Sequence, residues 1–195
     1  MSAPLYPMFL KLAARPVLLV GGGPVAASRL RPLLEAGARV TVVALKVCPE
    51  IERSPVVVFR RDFVPADLDG VWLAVAAATP EANRRVVAAA EERAVFVNAV
   101  DDAAVATAYT GGVLRRGGVT IAVSTEGRAP ALAGLLREGL EAVLPEEIDT
   151  WVSEAHALRQ RQRAEGRSFA ERRPQLLDAL NALYESRRSR PEGAS

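Results

Sequence analysis

The sequence predicts an α/β fold built on a parallel β-sheet that helices cover on both faces. Three observations support this prediction. Five short apolar segments recur along the first hundred residues, helical patterns alternate with several of them, and the first ends at Gly21-Gly22-Gly23. Strands that are continuous apolar runs are typical of parallel sheets, because both faces of such sheets are buried. Half of the 195 residues are hydrophobic, so the chain can bury a large core.

The first hundred residues contain the sheet and the helices that cover it. Pro24 suits a first helical turn, where a missing N–H is tolerated, and Gly37 suits a helix end. The strands are expected at residues 17–20, 39–45, 56–59, 71–76 and 95–98, with helices at 24–37 and 80–93.

The pattern changes after Asp101, where a hairpin and then helices are expected. Residues 113–116 and 119–124 flank the turn Gly117-Gly118, which predicts the hairpin. Helices are expected at 130–144, 146–164 and 168–188, with a frayed end after them. We therefore expect three parts: a dinucleotide-binding domain at 1–112, a connector at 113–145 and a helical C-terminal domain at 146–195. An apolar stripe on the connector helix predicts a homodimer; it consists of Leu132, Leu135, Leu136, Leu140 and Val143.

Composition excludes several classes of protein. Cys48 and His156 are the only residues of their kinds, which excludes a disulfide framework and a cysteine-based zinc site, so no metal site is predicted. No apolar run is long enough to span a membrane, and we expect a soluble cytoplasmic protein. The formal net charge is +2, and from Trp151 onward nine arginines accompany six acidic residues. The basic character lies mainly in the tail, so no nucleic-acid partner is predicted.

The glycine run carries the strongest functional signal. Gly21, Gly23 and Ala26 form a G-x-G-x-x-A pattern between a strand and a helix, which is typical of dinucleotide-binding Rossmann folds. The first glycine permits the tight turn, the second allows a pyrophosphate to approach the backbone, and the alanine allows close packing of helix on strand. The alternative is a glycine turn in an α/β protein that binds no nucleotide.

The second strand lacks a feature that NAD-binding folds usually have. An acidic residue normally follows this strand and binds the ribose hydroxyls. Here the strand ends in Val43-Ala44-Leu45-Lys46, so the backbone around Leu45 and Lys46 would make those contacts. Lys46 is either a partner for a 2′-phosphate, which leaves NADP open, or a solvated loop lysine.

Two further segments are candidate sites. Asp101 follows the fifth strand at the carboxyl edge of the sheet, where a carboxylate can transfer a proton to or from a substrate; otherwise it is a loop or capping acid. Ser124, Thr125 and Arg128 precede a helix, which suits either an anion-binding turn or simple capping before Pro130. His156 is interpreted as a surface histidine.

Several motifs in order resemble one known family. They are Pro7-Met8-Phe9-Leu10, Val20 to Ala26, Leu34 to Ala38, Trp72 to Thr79 with Asn83, Asn98 to Asp101, Val123-Ser124-Thr125-x-Gly127, and the helix 130–140 with its Leu-Leu-Arg-Glu core. This set is similar to the precorrin-2 dehydrogenase and sirohydrochlorin ferrochelatase family, which includes the N-terminal half of sirohaem synthase. The resemblance covers residues 6–144, with a weaker match in the tail.

The resemblance implies a role for each candidate residue. NAD would lie against Gly21, Gly22, Gly23, Pro24 and Val25 and against Leu45 and Lys46. Asp101 would be the catalytic aspartate. Ser124 and Thr125 would lie near the substrate, with Thr125 at a position that is a phosphorylated serine in some relatives, and the connector would form a dimer. Two departures concern the substrate pocket: Ala129 replaces the usual serine, and residues 108–112 replace the usual phenylalanine and proline.

The expected activity is NAD-dependent oxidation of precorrin-2 to sirohydrochlorin. Insertion of Fe²⁺ into the product is expected to be weak or absent, because the single histidine lies far along the tail and no set of iron ligands is evident. The alternative is a non-catalytic module that senses NAD(H), which would need the glycine turn but not Asp101. A short-chain dehydrogenase is disfavoured because the sequence has no Tyr-x-x-x-Lys pair.

Overall fold

The computed structural model describes residues 4–100, 102, 104–166, 174–179 and 181–182. The chain divides into two compact units. The first comprises Met1–Thr110 and Glu126–Arg128, and the second comprises Gly111–Thr125 and Ala129–Ser195.

The first unit contains a five-stranded parallel sheet. Its strands are β1 (Pro16–Val20), β2 (Arg39–Val43), β3 (Val57–Phe59), β4 (Leu73–Ala76) and β5 (Phe96–Ala99), in the order β3-β2-β1-β4-β5. The chain builds outward from β1 to β3 and then returns to the other side of β1. This order confirms the predicted Rossmann-type sheet, and it places the reversal of strand order between β1 and β4.

Three helices cover the sheet, and each begins with a proline. They are α1 (Pro24–Glu35), α2 (Pro49–Glu52) and α3 (Pro80–Glu92), and a 3₁₀ turn at Pro65–Leu68 begins in the same way. Proline suits this position because the first N–H groups of a helix have no partner within it. The sequence predicts α1 and α3 but neither α2 nor the 3₁₀ turn, since a single turn shows no helical periodicity.

The core lies on both faces of the sheet. Leu19 of β1 packs with Ala26 and Leu30 on one face, whereas Leu18 packs with Val86 and Ala90 on the other. Each buried leucine or valine contributes roughly 1.5–3 kcal/mol relative to an exposed one. Ala26 is fully buried, so its small side chain lets α1 pack closely on β1 as the glycine pattern predicts.

The second unit contains an antiparallel hairpin and helices. The hairpin joins β6 (Gly112–Arg116) to β7 (Val119–Val123), and α4 (Pro130–Val143) and α5 (Ile148–Ala164) follow it. The hairpin and α4 are confirmed, and α5 begins two residues later than the helix expected at 146–164. Of the helix expected at 168–188, residues 174–179, 181 and 182 are described and are helical, and the rest lies outside the described residues. None of the helices in the described part of the chain has the length and apolarity needed to cross a membrane.

Candidate functional site

A cleft of about 440 Å³ lies at the carboxyl edge of the sheet. The loops after β1, β2 and β4 line it, at the place where the strand order reverses. Open α/β sheets bind their ligands in this position, because the loops diverge there and leave a crevice. The cleft brings together five of the residues expected to bind NAD: Gly21, Gly22, Gly23, Leu45 and Lys46.

Gly21 and Gly22 allow neighbouring loops to approach the turn closely. Gly21 has φ +127°, and a Cβ built there would lie 2.1 Å from the carbonyl oxygen of Ala77. A Cβ on Gly22 would lie 1.8 Å from the carbonyl oxygen of Lys46. Both positions therefore require glycine, because a side chain would displace the loop after β4 or the loop after β2.

Gly23 differs, because a Cβ built there would meet no atom of the described chain within 4 Å. Gly23 is the N-cap of α1, and it has no side chain that could cap the first N–H groups of the helix. The next residues, Pro24 and Val25, begin the helix, and Val25 is exposed. An open backbone at a helix N-terminus fits the pyrophosphate of a dinucleotide, because free N–H groups and the helix dipole both attract the anion.

The loop after β4 is held in place by the start of α3. The side chain of Asn83 is buried, and its Oδ1 accepts a hydrogen bond of 2.9 Å from the N–H of Ala78. The hydroxyl of Thr79 caps α3 by accepting from Ala82 N–H at 3.4 Å. This bonding fixes the wall of the cleft opposite Gly21. The sequence motif includes Thr79 and Asn83 but assigns them no role.

The segment after β3 forms another wall of the cleft, and the sequence motifs do not predict it. Arg61, Asp62 and Phe63 line the cleft beside Lys46. Both terminal nitrogens of Arg61 bind the carboxylate of Asp67, and this guanidinium holds the pKa of Asp67 below its ordinary value. No local pattern marks these residues, because their place in the site depends on β3 lying beside β2.

The loop that follows β5 is anchored to the sheet at both ends. Val100 N–H donates to the carbonyl oxygen of Ala76 at 2.9 Å, and Thr107 accepts from Val97 N–H through its hydroxyl at 2.8 Å. The amide of Asn98 donates to the carbonyl oxygen of Ala108 at 2.9 Å. The candidate catalytic residue of this loop, Asp101, lies outside the described residues.

The turn that contains Ser124 and Thr125 makes a helix-capping contact. Thr125 Oγ1 accepts from Ala129 N–H at 3.2 Å, just before α4. Ser124 is exposed, and Arg128 forms an ion pair with Glu126. Thr125 belongs to the second unit and Arg128 to the first.

Arg116 and His156 lie in the second unit. Arg116 donates to the carbonyl oxygens of Glu141 and Leu144, so it closes the end of α4. His156 is exposed on α5. Within the described residues, no three His, Cys, Asp or Glu side chains are grouped closely enough to hold a metal ion.

Comparisons with known proteins agree with this geometry. A family model described as putative NAD(P)-binding matches residues 8–112, which is more than half of the chain. The chain belongs to this NAD(P)-binding family. A second model, described as the central part of a sirohaem biosynthesis protein, matches residues 116–142. Together the two matches confirm the family resemblance predicted from the motifs, and membership confirms the expected nicotinamide dinucleotide cofactor.

The relatives of this family member are sirohaem biosynthesis proteins. Siroheme synthase 3 of Aeromonas hydrophila is 40% identical over 172 residues, which cover 86% of this chain and 37% of that protein. The siroheme synthase of Sodalis glossinidius is 38% identical over 185 residues, or 92% of this chain and 39% of that protein. The chain thus spans under two-fifths of the length of these synthases. A solved structure of SirC, a precorrin-2 dehydrogenase, matches with a TM-score of 0.69 and 25% identity, covering 89% of this chain and 88% of that one.

Proposed function

We propose that this chain oxidises precorrin-2 to sirohydrochlorin with NAD⁺. The observation that carries the proposal is the correspondence with a solved precorrin-2 dehydrogenase over 89% of this chain. The dinucleotide cleft supports it, because Gly23 leaves the N-terminus of α1 open to a pyrophosphate. The siroheme synthase relatives point to the same pathway, although each is much longer than this chain.

The reaction removes a hydride and a proton from the tetrapyrrole. NAD⁺ supplies the hydride acceptor when it is bound, and the products are sirohydrochlorin, NADH and H⁺. The protein's task is to orient the reactants and to accept the proton. Gly23, Pro24 and Val25 would hold the pyrophosphate, Leu45 and Lys46 would contact the adenosine ribose, and Asp101 is the proposed proton acceptor.

Ser124, Thr125 and Arg128 are proposed to contact the substrate. Precorrin-2 carries many carboxylates, and guanidinium groups bind carboxylates through paired, charge-assisted hydrogen bonds. Arg128 is paired with Glu126, so substrate binding would exchange one carboxylate partner for another. Phosphorylation of Thr125 would add negative charge to this turn and weaken binding of an anionic substrate.

An anaerobic assay tests the activity and separates it from NAD(H) sensing. Purified protein with precorrin-2 and NAD⁺ is expected to form NADH, and Asp101→Ala is expected to abolish turnover while leaving NAD⁺ affinity unchanged. Asp102→Ala is the matched control, since it removes the neighbouring carboxylate, and it should retain most of the activity. Absence of NADH formation by the wild-type protein would refute the enzymatic function and favour the sensing module.

We further propose that the chain is a homodimer through α4. Leu135 and Val143 on this helix are 65% and 75% exposed, and Leu132, Leu136 and Leu140 are also exposed. Large exposed apolar stripes usually pack on a partner. Light scattering should give twice the chain mass at micromolar concentration, and Leu135→Glu should shift it toward the monomer, whereas the neighbouring Glu138→Gln should not. A wild-type monomer would contradict the proposal.

The cytoplasmic location expected from the sequence also stays a prediction.

Iron insertion is proposed to be weak. The described residues offer no preformed cluster of metal ligands, so an inserted ion would rely on the macrocycle itself for ligands. The rate of Fe²⁺ or Co²⁺ insertion into sirohydrochlorin should change little when protein is added. A large acceleration that is lost in Asp101→Ala but kept in His156→Ala would show that the chain is an efficient chelatase.

A further inference from the structure

We propose that Asp62, which follows β3, binds the ribose hydroxyls of the dinucleotide and makes the site select NAD over NADP. This inference rests on the proposed dinucleotide site. Rossmann folds usually carry an acidic residue at the end of the second strand, and this chain lacks one there. Asp62 supplies the missing acidic group. Leu45 and Lys46 occupy that place in the sequence, and neither can accept a hydrogen bond from a ribose hydroxyl through its side chain.

The sheet order brings Asp62 to the same place from a different strand. β3 pairs with β2 in parallel, with Phe59 opposite Val43. The pairing continues past the strands, because Ala44 N–H donates to the carbonyl oxygen of Phe59 at 3.1 Å. The residues that follow Phe59 therefore run beside the residues that follow Val43, and Asp62 lines the same cleft as Leu45 and Lys46.

Contacts on both sides hold the backbone of Asp62 in position. Before it, Arg61 binds the carboxylate of Asp67, which also accepts from Val64 N–H at 2.9 Å. After it, Phe63 is buried, and its carbonyl oxygen accepts from Arg85 at 3.0 Å. The side chain of Asp62 is exposed between these fixed points. These contacts fix the segment on both sides of Asp62, which lines the cleft.

The described lining of the cleft offers one carboxylate for this role. Among the described residues that line it, Asp62 is the acidic one, and Lys46, Arg61 and Arg85 are basic. Arg61 is already paired with Asp67, and Arg85 is bound to Phe63. A carboxylate at Asp62 accepts from ribose hydroxyls, whereas a 2′-phosphate would place like charges side by side.

Binding titrations on the full chain test the inference without any tetrapyrrole. Dissociation constants are measured by calorimetry for NAD⁺ and NADP⁺ with the wild-type protein, Asp62→Ala and Asp62→Asn. The wild-type protein should bind NAD⁺ more tightly. Asp62→Ala should weaken NAD⁺ binding roughly tenfold, as expected for one charged hydrogen bond. Both variants should bind NADP⁺ more tightly than the wild-type protein, because Lys46 then faces the 2′-phosphate without an opposing carboxylate.

Asp69→Ala is the matched control, because Asp69 is an exposed aspartate on the same segment that pairs with Arg93 and does not line the cleft. It should leave both constants unchanged. Asp62→Asn keeps the shape of the side chain, so it answers the question if the alanine variant is poorly folded. The inference is overturned if the wild-type protein prefers NADP⁺. It is also overturned if the ratio of NAD⁺ affinity to NADP⁺ affinity in both Asp62 variants stays within twofold of the wild-type ratio. Turnover of precorrin-2 with unchanged selectivity would refute the role of Asp62 alone and leave the proposed function intact.

Discussion

The substitution Gly23→Ala is expected to separate cofactor binding from folding. A Cβ at this position meets no atom of the described chain within 4 Å, and Gly23 has φ −85°, which alanine adopts without strain. The methyl group would instead occupy the space over the first turn of α1, where the pyrophosphate of the dinucleotide is proposed to lie. The change should therefore weaken NAD⁺ binding and leave the folded structure nearly intact.

The expected size of each effect follows from the geometry. Alanine is a poorer N-cap than glycine, which costs up to about 1 kcal/mol of stability. Alanine also restricts the unfolded chain more than glycine does, which stabilises the folded state by about 0.4–1 kcal/mol. The free energy of unfolding should therefore change by less than about 1 kcal/mol. Loss of one or two charged hydrogen bonds to phosphate, at about 1.5–3 kcal/mol each, corresponds to at least a tenfold weaker affinity.

Gly21→Ala is the matched control within the same turn. Its Cβ would lie 2.1 Å from the carbonyl oxygen of Ala77, and the backbone has φ +127°. This variant should lose about 2–4 kcal/mol of stability through steric overlap and strain. Urea unfolding measures the stability of both variants, and calorimetric titration measures NAD⁺ affinity. If Gly23→Ala binds NAD⁺ as tightly as the wild-type protein, the pyrophosphate does not lie over Gly23 and the assignment of the turn is wrong.

Three further predictions concern stability and can be checked by urea unfolding. Asn83→Ala should cost about 1–3 kcal/mol, because the N–H of Ala78 loses its partner, and an unchanged midpoint would show that this bond does not fix the loop. Asp67→Asn should cost roughly 1 kcal/mol at pH 7, since Arg61 is partly exposed. The pKa of Asp67 is lowered in the folded state, so the stability it contributes is present above the ordinary aspartate pKa of about 4 and is lost as the pH falls through the folded value. The difference in unfolding free energy between the wild-type protein and Asp67→Asn should therefore shrink below about pH 4. A difference that stays constant with pH would contradict this. Pro32→Ala should stabilise the protein by about 1–2 kcal/mol, because Pro32 lies inside α1 and alanine restores an N–H toward the Ser28 carbonyl; a lower midpoint would contradict this.

The elements that the sequence predicts well are those with a local signal. The buried runs of β1 and β4, the periodic faces of α1 and α3, and the Gly117-Gly118 hairpin turn each show their pattern within a few residues. The elements it misses have no such pattern. α2 is a single turn, and its position depends on the hydrogen bond from Cys48 N–H to the Gly22 carbonyl oxygen, a contact between two loops.

The same distinction applies to the candidate site. The glycine turn can be predicted because its chemistry requires three nearby positions in a fixed order. Asp62 cannot, because it joins the cleft only through the pairing of β3 with β2. Asn83 acts through a bond to Ala78 that the sequence motif contains but does not explain.

The proposed function is the transfer of a hydride from precorrin-2 to NAD⁺. The most direct test is the stoichiometry of a single anaerobic reaction, in which NADH and sirohydrochlorin are measured together by their absorbance while a limiting amount of precorrin-2 is consumed. One NADH is expected for each sirohydrochlorin formed, at a rate that rises in proportion to the protein. Sirohydrochlorin that appears without NADH, or at the rate seen without protein, would contradict it.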